Sequence, residues 1–371
     1  MKKIAIITLS GYFNYGNRLQ NYALETILRH LNFDVETIRV KEINIVNEAI
    51  YKRYLHVSLK DFPTKCKRKI FFLLNKNYIN RCKKLRENNF IKFSDQYLSE
   101  TEYWISETTI PPHFADNYDY FVVGSDQVWN PNFPEVSSLY FLTFAPKKKR
   151  IAYAASFGVD FIPEQYESNY KLWLDGMNKI SVREEKGSSI VKKLVNKDVP
   201  VLLDPTLLLT KEQWLNIVSS KIDLPNANYV LTYFLGEVSR AQIKQIKIFA
   251  QKFNLIIINM TNIKEKQFFC LGPSEFIQLV ENCTFLFTDS FHGTVFSVLF
   301  EKPFIVYKRN GKSSMYSRIQ TLLKTFNLES REIENININD QSVFDIDYHN
   351  ANKILEIKRK SAVDYLVHSL I

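Results

Sequence analysis

The segment TFLFTDSFHGTVFSVLFEKPFIVY, residues 284–307, contains the repeating unit from which the fold can be predicted. The apolar run TFLF has the character of a buried strand, the polar residues TDSFHG follow it, and the next residues predict a helix that ends before a second apolar run, KPFIVY. Strands that alternate with helices are typical of parallel sheets. In such sheets ligands bind in the loops after the carboxyl ends of the strands, so the polar residues of this loop are candidate site residues.

The same unit recurs along the chain. Further apolar runs that predict strands lie at residues 2–10, 118–124, 150–158, 179–184, 199–204, 228–236 and 254–260. Apolar residues at helical spacing follow several of them, as in RLQNYALETILRHL (18–31) and SRAQIKQIKIFAQKF (239–253). The sequence therefore predicts an α/β fold with two Rossmann-like domains.

The domain boundary is expected where loops and prolines accumulate, at about residues 205–228. We predict a first domain over 1–210, a second over 211–345 and a C-terminal helix over 346–371. In proteins with two Rossmann-like domains such a helix often crosses back onto the first domain, and the same is expected here.

Composition is that of a globular protein, with 46% hydrophobic and 24% charged residues. The four cysteines are scattered, without the spacing of a zinc site, and are typical of free thiols in a reducing compartment. The N-terminal apolar run is too short for a signal peptide, and no run approaches the length of a membrane span. These features predict a cytosolic protein without a bound metal.

The net charge of +10 comes from one segment. Residues 51–92 contain thirteen Lys and Arg against two acidic residues, interleaved with apolar side chains. This predicts a basic helical insertion, and three interpretations fit it: a solvated hairpin packed on its own domain, a helix on an anionic membrane surface, or a polyanion-binding element. No nucleic-acid-binding motif supports a nucleic acid as the partner.

Two predicted strand-end loops of the first domain carry polar groups. In SGYFNYGNRLQN (10–21), Asn14 and Asn17 offer neutral hydrogen bonds beside a helix N-terminus. In VVGSDQVWNPNF (122–133), Ser125, Asp126, Gln127 and Trp129 suit a sugar: amide and carboxylate groups for its hydroxyls, a ring to stack on it, and Asp126 as a general base. Alternatively, both loops are ordinary capped turns.

Arg183 and His292 are the strongest candidates for chemistry. Arg183 ends the predicted strand KISVRE and could hold a carboxylate or phosphate, or could pair with Glu184, Glu185 or Asp204. Asp289 could orient the imidazole of His292, while Ser290, Gly293 and Thr294 would let an anion approach the helix N-terminus. The alternative is a histidine that merely caps its helix.

The ordered set GYFNYGNRLQNYAL, VVGSDQVWNP, AYAASFG, SVREE, LLDPTLLL and TDSFHGTVFSVLFEKPFIVY resembles the polysaccharide pyruvyl transferase family, from residue 3 to about 325. The resemblance implies a GT-B-like fold with the active site between the domains. It also implies transfer of the pyruvyl unit of phosphoenolpyruvate to a sugar hydroxyl pair, giving a pyruvate ketal in capsule, exopolysaccharide or cell-wall biosynthesis. Phosphoenolpyruvate would be the donor substrate, with no cofactor.

Residue by residue, the resemblance matches His292 to the essential histidine of the family and Arg183 to an arginine that grips the donor. Many relatives carry an arginine at the position of Ser290, so Arg183, Arg318 or Lys308 would have to replace its charge. The acceptor would be a sugar or oligosaccharide, and one built on a lipid diphosphate would give the segment 51–92 a use at the inner membrane face.

Two other functions stay open on the sequence. A glycosyltransferase of the same fold would take a nucleotide-sugar donor. A non-catalytic member of a polysaccharide assembly complex would bind sugars without transferring anything.

Overall fold

The structure is a computed structural model that describes residues 1–41, 74–133, 137–218, 222–309 and 316–371. Residues 51–73 of the predicted basic insertion lie outside these ranges, so a membrane contact through 51–92 stays a prediction.

The described residues form ten strands and eleven α-helices. The strands are β1 (Lys3–Ile7), β2 (Asp34–Val40), β3 (Glu100–Ile105), β4 (Tyr120–Val123), β5 (Arg150–Ala155), β6 (Lys179–Val182), β7 (Tyr229–Tyr233), β8 (Ile256–Asn259), β9 (Phe285–Thr288) and β10 (Phe304–Val306). The helices are α1 (Tyr15–His30), α2 (Lys76–Tyr97), α3 (Glu164–Asp175), α4 (Glu185–Val195), α5 (Lys211–Leu215), α6 (Arg240–Lys252), α7 (Lys266–Phe269), α8 (Pro273–Asn282), α9 (Phe291–Leu299), α10 (Ser317–Thr325) and α11 (Tyr348–Leu370).

The strands form two parallel sheets. The first has the order β3-β2-β1-β4-β5-β6 and the second the order β10-β9-β7-β8. Their central strands are apolar on both faces, as in Ile4 to Ile7 of β1, which are fully buried. Strands of this kind need helices on both sides, which the alternating sequence supplies. The prediction of an α/β fold with two parallel sheets is confirmed.

Helix α11 crosses back onto the first sheet. The hydroxyl of Tyr365 donates to the carbonyl of Ala152 in β5 at 3.0 Å, and Lys2 Nζ donates to the carbonyl of Leu370 at 2.8 Å. Midway along the helix, Arg359 donates to the carbonyls of Leu207 and Leu209 at 2.6 and 2.7 Å. The predicted return of the C-terminal helix is therefore confirmed.

Helix α2 is the described part of the basic segment, and it joins the two sheets. Arg86 donates to the carbonyl of Phe13, in the loop after β1, and to that of Phe269 in α7. Asn89 donates to the carbonyl of Cys270 at 2.8 Å, and Phe90 is fully buried beside Tyr15. The buried side of α2 thus packs on the protein itself, as in the first of the three interpretations, while its Lys side chains lie on the outer side.

None of the helices in the described part of the chain combines the length and hydropathy of a bilayer-spanning segment.

Candidate active site between the two sheets

The site lies where the connection order of each sheet reverses, between β1 and β4 in the first and between β7 and β9 in the second. At such points the loops leave in opposite directions and open a crevice that commonly holds the ligand. The β1–α1 loop and residues 124–127 come from the first sheet, and the β9–α9 loop comes from the second. These are the loops in which the sequence placed its polar candidates.

His292 lies on the first turn of α9, directly against the first turn of α1. Ser290 caps α9 by accepting a hydrogen bond from the amide of Gly293 at 3.3 Å. A Cβ atom on Gly16 would stand 1.9 Å from His292 Nδ1, so only glycine fits at that position of α1. The amino ends of two helices, one from each sheet, therefore meet at this imidazole.

Asp204 is the carboxylate that faces His292. Its Oδ2 accepts from Arg183 Nη1 at 2.5 Å and from the hydroxyl of Ser125 at 3.1 Å, and lies 3.6 Å from His292 Nε2. Its Oδ1 accepts from the amide and hydroxyl of Thr206 at 3.0 and 2.6 Å. Although burial alone would raise it, the pKa of Asp204 is lowered, because His292, Arg183 and Thr206 stabilise the carboxylate.

Arg183 pairs with two carboxylates. Besides Asp204, its Nη2 lies 3.2 Å from Oδ1 of Asp126. Burial opposes the charge of Arg183, yet the two aspartates raise its pKa above the usual value. Of the pairing partners that the sequence left open, Asp204 is the one observed; Glu184 instead accepts from the hydroxyl of Ser156 and the amides of Phe157 and Gly158.

Arg318, on α10, carries a second buried guanidinium group, and nearby carboxylates compensate its charge less than they compensate that of Arg183. Its Nη1 is 3.9 Å from Oδ1 of Asp126, and the side-chain amide of Gln127 lies within 3.3 Å. Its Nε has no hydrogen-bond partner. Burial and the nearby charge of Arg183 lower the pKa of Arg318 to about 9. An anion beside Arg318 would therefore supply charge compensation that the protein itself does not.

Both guanidiniums contact the ring of Phe291, whose centroid is 4.4 Å from Arg183 Cζ and 5.7 Å from Arg318 Cζ. The three side chains line one pocket together with Asp204 and, at its outer side, Lys358 of α11. Lys308, the third cation considered as a replacement for the absent arginine, instead pairs with Glu334 at the surface. The structure thus brings Arg183 and Arg318 together and leaves Lys308 apart.

The prediction that Asp289 orients His292 is wrong. The Asp289 carboxylate accepts from the backbone amides of Leu235 and Gly236 at 2.6 and 2.8 Å, and from Arg309 Nε at 3.3 Å. These donors belong to the loops after β7 and β10. Asp289 therefore holds neighbouring loops of the second sheet together, and the carboxylate that faces the imidazole is Asp204.

Trp129 is also placed differently from the prediction of a sugar-stacking ring. It is fully buried, stacks on Phe141 with 5.0 Å between the ring centroids, and donates from Nε1 to the carbonyl of Tyr140. Because both faces of the indole lie in the core of the first sheet, its role here is packing.

The other predicted residues lie at the crevice, mostly with structural partners. Asn14 caps α1 through the amide of Gly16, and Thr294 donates to the carbonyl of Ser290. Asn17 is buried and its Oδ1 lacks a hydrogen-bond partner. Gly293 is required by packing, since a Cβ there would meet the hydroxyl of Thr288 at 2.5 Å. Their roles toward a ligand stay predictions.

The sequence reasoning missed Gly16 and Phe291 as site residues, and it named Asp204 only as one possible partner of Arg183, not as the carboxylate that faces His292. The signal for Asp204 in the sequence is the Asp-Pro pair after the apolar run VPVLL, a pair that is typical of a turn. It is a turn, because Asp204 caps the short 3-10 helix Pro205–Leu207. Oδ2 of Asp204 is the oxygen that contacts Arg183 and faces His292. The direction in which Oδ2 points cannot be deduced from the sequence Asp-Pro.

Within the described ranges, no group of three His, Cys, Asp or Glu side chains is placed to hold a metal ion.

A family model described as polysaccharide pyruvyl transferase matches residues 14–311 of the chain. This range contains Arg183, Asp204 and His292. No curated protein is detectably similar to the chain in sequence.

Among solved structures, a candidate UDP-N-acetylglucosamine 2-epimerase from Listeria monocytogenes is similar, with a TM-score of 0.50 and 11% identity over 95% of this chain and 90% of that one. MurG from Acinetobacter baumannii has a TM-score of 0.45 and 8% identity, covering 98% and 99% of the two chains. At these identities the likeness concerns the fold alone. The chain has the GT-B fold of two Rossmann-like domains, as predicted.

Proposed function

The chain belongs to the polysaccharide pyruvyl transferase family, and from this premise we propose that it transfers the pyruvyl unit of phosphoenolpyruvate to a pair of sugar hydroxyls. The product is a pyruvate ketal on a capsule, exopolysaccharide or cell-wall polysaccharide. The observation that carries the proposal is the pair of buried arginines, Arg183 and Arg318, which line one pocket with Asp204, whose Oδ2 lies 3.6 Å from His292 Nε2.

The donor is a compact trianion at neutral pH, and the pocket offers what such an anion requires. Arg318 has a buried charge that the protein compensates only in part, and Arg183 contacts the same Phe291 ring. Guanidinium groups bind carboxylate and phosphate through paired N–H donors. Lys358 adds a third cation at the pocket's outer side. We assign the phosphate of the donor to Arg318, and its carboxylate to Arg183.

The reaction needs one proton delivered to carbon and two removed from oxygen. A sugar hydroxyl adds to C2 of phosphoenolpyruvate while C3 takes up a proton, so that the C2–C3 double bond becomes a methyl-bearing tetrahedral centre. The bond from C2 to the phosphate oxygen then breaks, and inorganic phosphate leaves. The second hydroxyl adds to C2 and closes the ketal ring, and its proton passes to the released phosphate, which is left as HPO4²⁻.

We assign the proton transfer to C3 to His292. It stands on the first turn of α9, with its ring between the amino ends of two helices. Asp126 is a weaker candidate for accepting the hydroxyl proton, because its Oδ1 is already paired with Arg183. The β1–α1 loop, with Asn14 and Asn17, would line the acceptor side of the crevice.

The alternative function for this fold is a glycosyltransferase that uses a nucleotide-sugar donor. It would place a diphosphate, rather than a small carboxylate-bearing phosphate, beside the arginines. A non-catalytic binding protein is the other rival, and it would not need His292.

Ligand-observed NMR of the full chain distinguishes these functions. Phosphoenolpyruvate is compared with UDP-, GDP- and CMP-sugars, using the wild type, Arg318→Gln and Arg183→Ala. Lys308→Gln is the matched control, since it removes an exposed cation that does not line the pocket. We expect phosphoenolpyruvate alone to bind, and Arg318→Gln to weaken it by about 10- to 100-fold, the value of a charge-assisted contact.

Binding of a nucleotide-sugar with phosphoenolpyruvate silent would contradict the proposal and leave the fold unchanged. Equal weakening in Lys308→Gln would indicate a general charge effect instead of a site. Full pyruvyl transfer by His292→Ala would remove His292 from the mechanism.

A further inference from the structure

Asp204 lies between the two residues on which the proposed reaction depends, although it belongs to neither of their elements. It follows the short bridge between Val201 and Val182 at the edge of the first sheet, whereas His292 stands on a helix of the second. Its exposure is 1%, four donor groups lie within hydrogen-bond distance of its two oxygens, and His292 Nε2 lies 3.6 Å from Oδ2. We propose that Asp204 is a positioning residue that keeps the proton of neutral His292 on Nε2 and holds Arg183 in the pocket; its importance for turnover rests on the proposed function.

The two oxygens of Asp204 have separate tasks. Oδ1 receives both hydrogen bonds from Thr206 and thereby caps the short helix after it. Oδ2 receives Arg183 and Ser125 and faces the imidazole. A turn would need only Oδ1. The backbone amide of Thr206 fixes Oδ1 in the turn, and this directs Oδ2 toward Arg183 and His292.

An ionised carboxylate can only accept hydrogen bonds, so the imidazole nitrogen that faces it must carry the proton. His292 Nε2 is buried and has no hydrogen-bond partner, and the Asp204 carboxylate, at 3.6 Å, is the acceptor that faces it. With the proton on Nε2, Nδ1 is the basic nitrogen of the neutral ring, on the side of Gly16 and the α1 N-terminus. Asp204 thus determines which nitrogen can exchange a proton with a ligand in the crevice.

The distance of 3.6 Å between Asp204 Oδ2 and His292 Nε2 exceeds that of a hydrogen bond. Catalytic hydrogen bonds are often long before substrate binds and shorten in the complex. Because the two residues belong to different sheets, a small approach of the domains would close this gap. A donor anion that bridges Arg183 and Arg318, which also come from the two domains, would favour that approach.

The test is long-range 1H–15N NMR of the full chain labelled with 15N-histidine, at a pH at which the imidazole is neutral. Signals of His292 are assigned by their loss in His292→Gln. The wild type is expected to show the pattern of a ring protonated on Nε2. In Asp204→Asn the remaining oxygen can still accept the hydrogen bonds from Thr206, and an NH2 group takes the place of Oδ2. Because this NH2 group donates a hydrogen bond where the carboxylate accepted one, the His292 pattern should shift toward protonation on Nδ1.

Thr206→Val is the matched control, because it removes the hydroxyl bond to Oδ1 and leaves the side that faces His292 intact. Its His292 pattern should equal that of the wild type. In a transfer assay, Asp204→Asn should lower kcat by about 100-fold, within the range of proton-transfer catalysis, and alter the pH profile, whereas Thr206→Val should keep the wild-type profile.

A wild-type ring protonated on Nδ1, or an unchanged pattern in Asp204→Asn, would overturn the proposal. The wild-type measurement decides this even if Asp204→Asn does not fold. The pattern is read without any donor, so a failure of phosphoenolpyruvate to bind would overturn the proposed function separately from the role of Asp204 toward the imidazole.

Discussion

Asp289 and Asp204 are both buried aspartates, but they have different roles in the two regions of the molecule in which they lie. Asp289 binds two backbone amides and Arg309, all within loops of the second sheet. Asp204 binds Arg183 and faces His292, so it reaches from the edge of the first sheet to a helix of the second. Both carboxylates accept several hydrogen bonds, but Asp289 connects loops of one sheet, whereas Asp204 connects the two sheets. Asp289 is only three residues from His292 in sequence, yet Asp204 is the carboxylate that faces the imidazole.

The largest expected effect comes from breaking the ion pairs of Arg183. Arg183→Ala leaves Asp204 and Asp126 buried without their common partner, and removal of one member of a buried pair costs about 3–5 kcal/mol. Urea unfolding would measure it. Arg309→Ala is the counterpart on the Asp289 side, where two backbone amides remain, and should cost less than half as much. Equal losses would mean that the two aspartates are equivalent after all.

Exchanging each carboxylate for an amide should separate the two roles. Asp289→Asn places an NH2 group against a backbone amide and should lower the free energy of unfolding by about 1–3 kcal/mol, the cost of an unsatisfied buried group. The NMR pattern of His292 should stay that of the wild type. A changed pattern in Asp289→Asn would restore Asp289 as the residue that orients the imidazole.

Gly16→Ala tests the contact between the domains. The new methyl group would overlap His292 Nδ1, so the ring must turn or the domains must separate. We expect pyruvyl transfer to fall by about 10-fold or more, while the unfolding free energy changes little, because alanine is intrinsically favourable in a helix by about 1 kcal/mol relative to glycine. Gly293→Ala is the matched variant on the other helix, where the clash is with Thr288 in the same sheet. Because this clash lies within one sheet, Gly293→Ala should lower the free energy of unfolding.

The smallest effect is a pH dependence of donor binding. Burial and Arg183 lower the pKa of Arg318 to about 9, and only the charged guanidinium attracts an anion. Affinity for phosphoenolpyruvate should therefore be constant below about pH 9 and fall as the pH rises beyond it, by about 10-fold per unit at most. Isothermal titration calorimetry between pH 7 and 10 would show this, after correction for the donor's own ionisation. In Arg318→Gln the fall should disappear; a fall that persists would assign it to another group.

Sequence reasoning identified the elements of the site more completely than their contacts. The strand-to-helix pattern predicted Ser125 and Asp126 in the loop after β4 and His292 at the junction between β9 and its helix, and the structure agrees, because periodicity of apolar residues is a local property. It did not find Gly16 opposite His292, since these residues are 276 positions apart and meet only through the packing of two domains. Trp129 was misplaced for a related reason: its ring enters a core whose other members cannot be listed from its own loop.

By itself the sequence determined the fold class, the helix that returns to the first sheet, and the family, and it gave Arg183 and His292 as candidate site residues. Those are encoded in alternating apolar runs and in short ordered motifs, and each can be read within a window of a few turns or strands. Only the tertiary structure decided which carboxylate faces His292 and which two arginines lie together against Phe291. Partners across a domain interface are chosen by the direction of side chains on separate elements, and that direction exists only once the two sheets have packed.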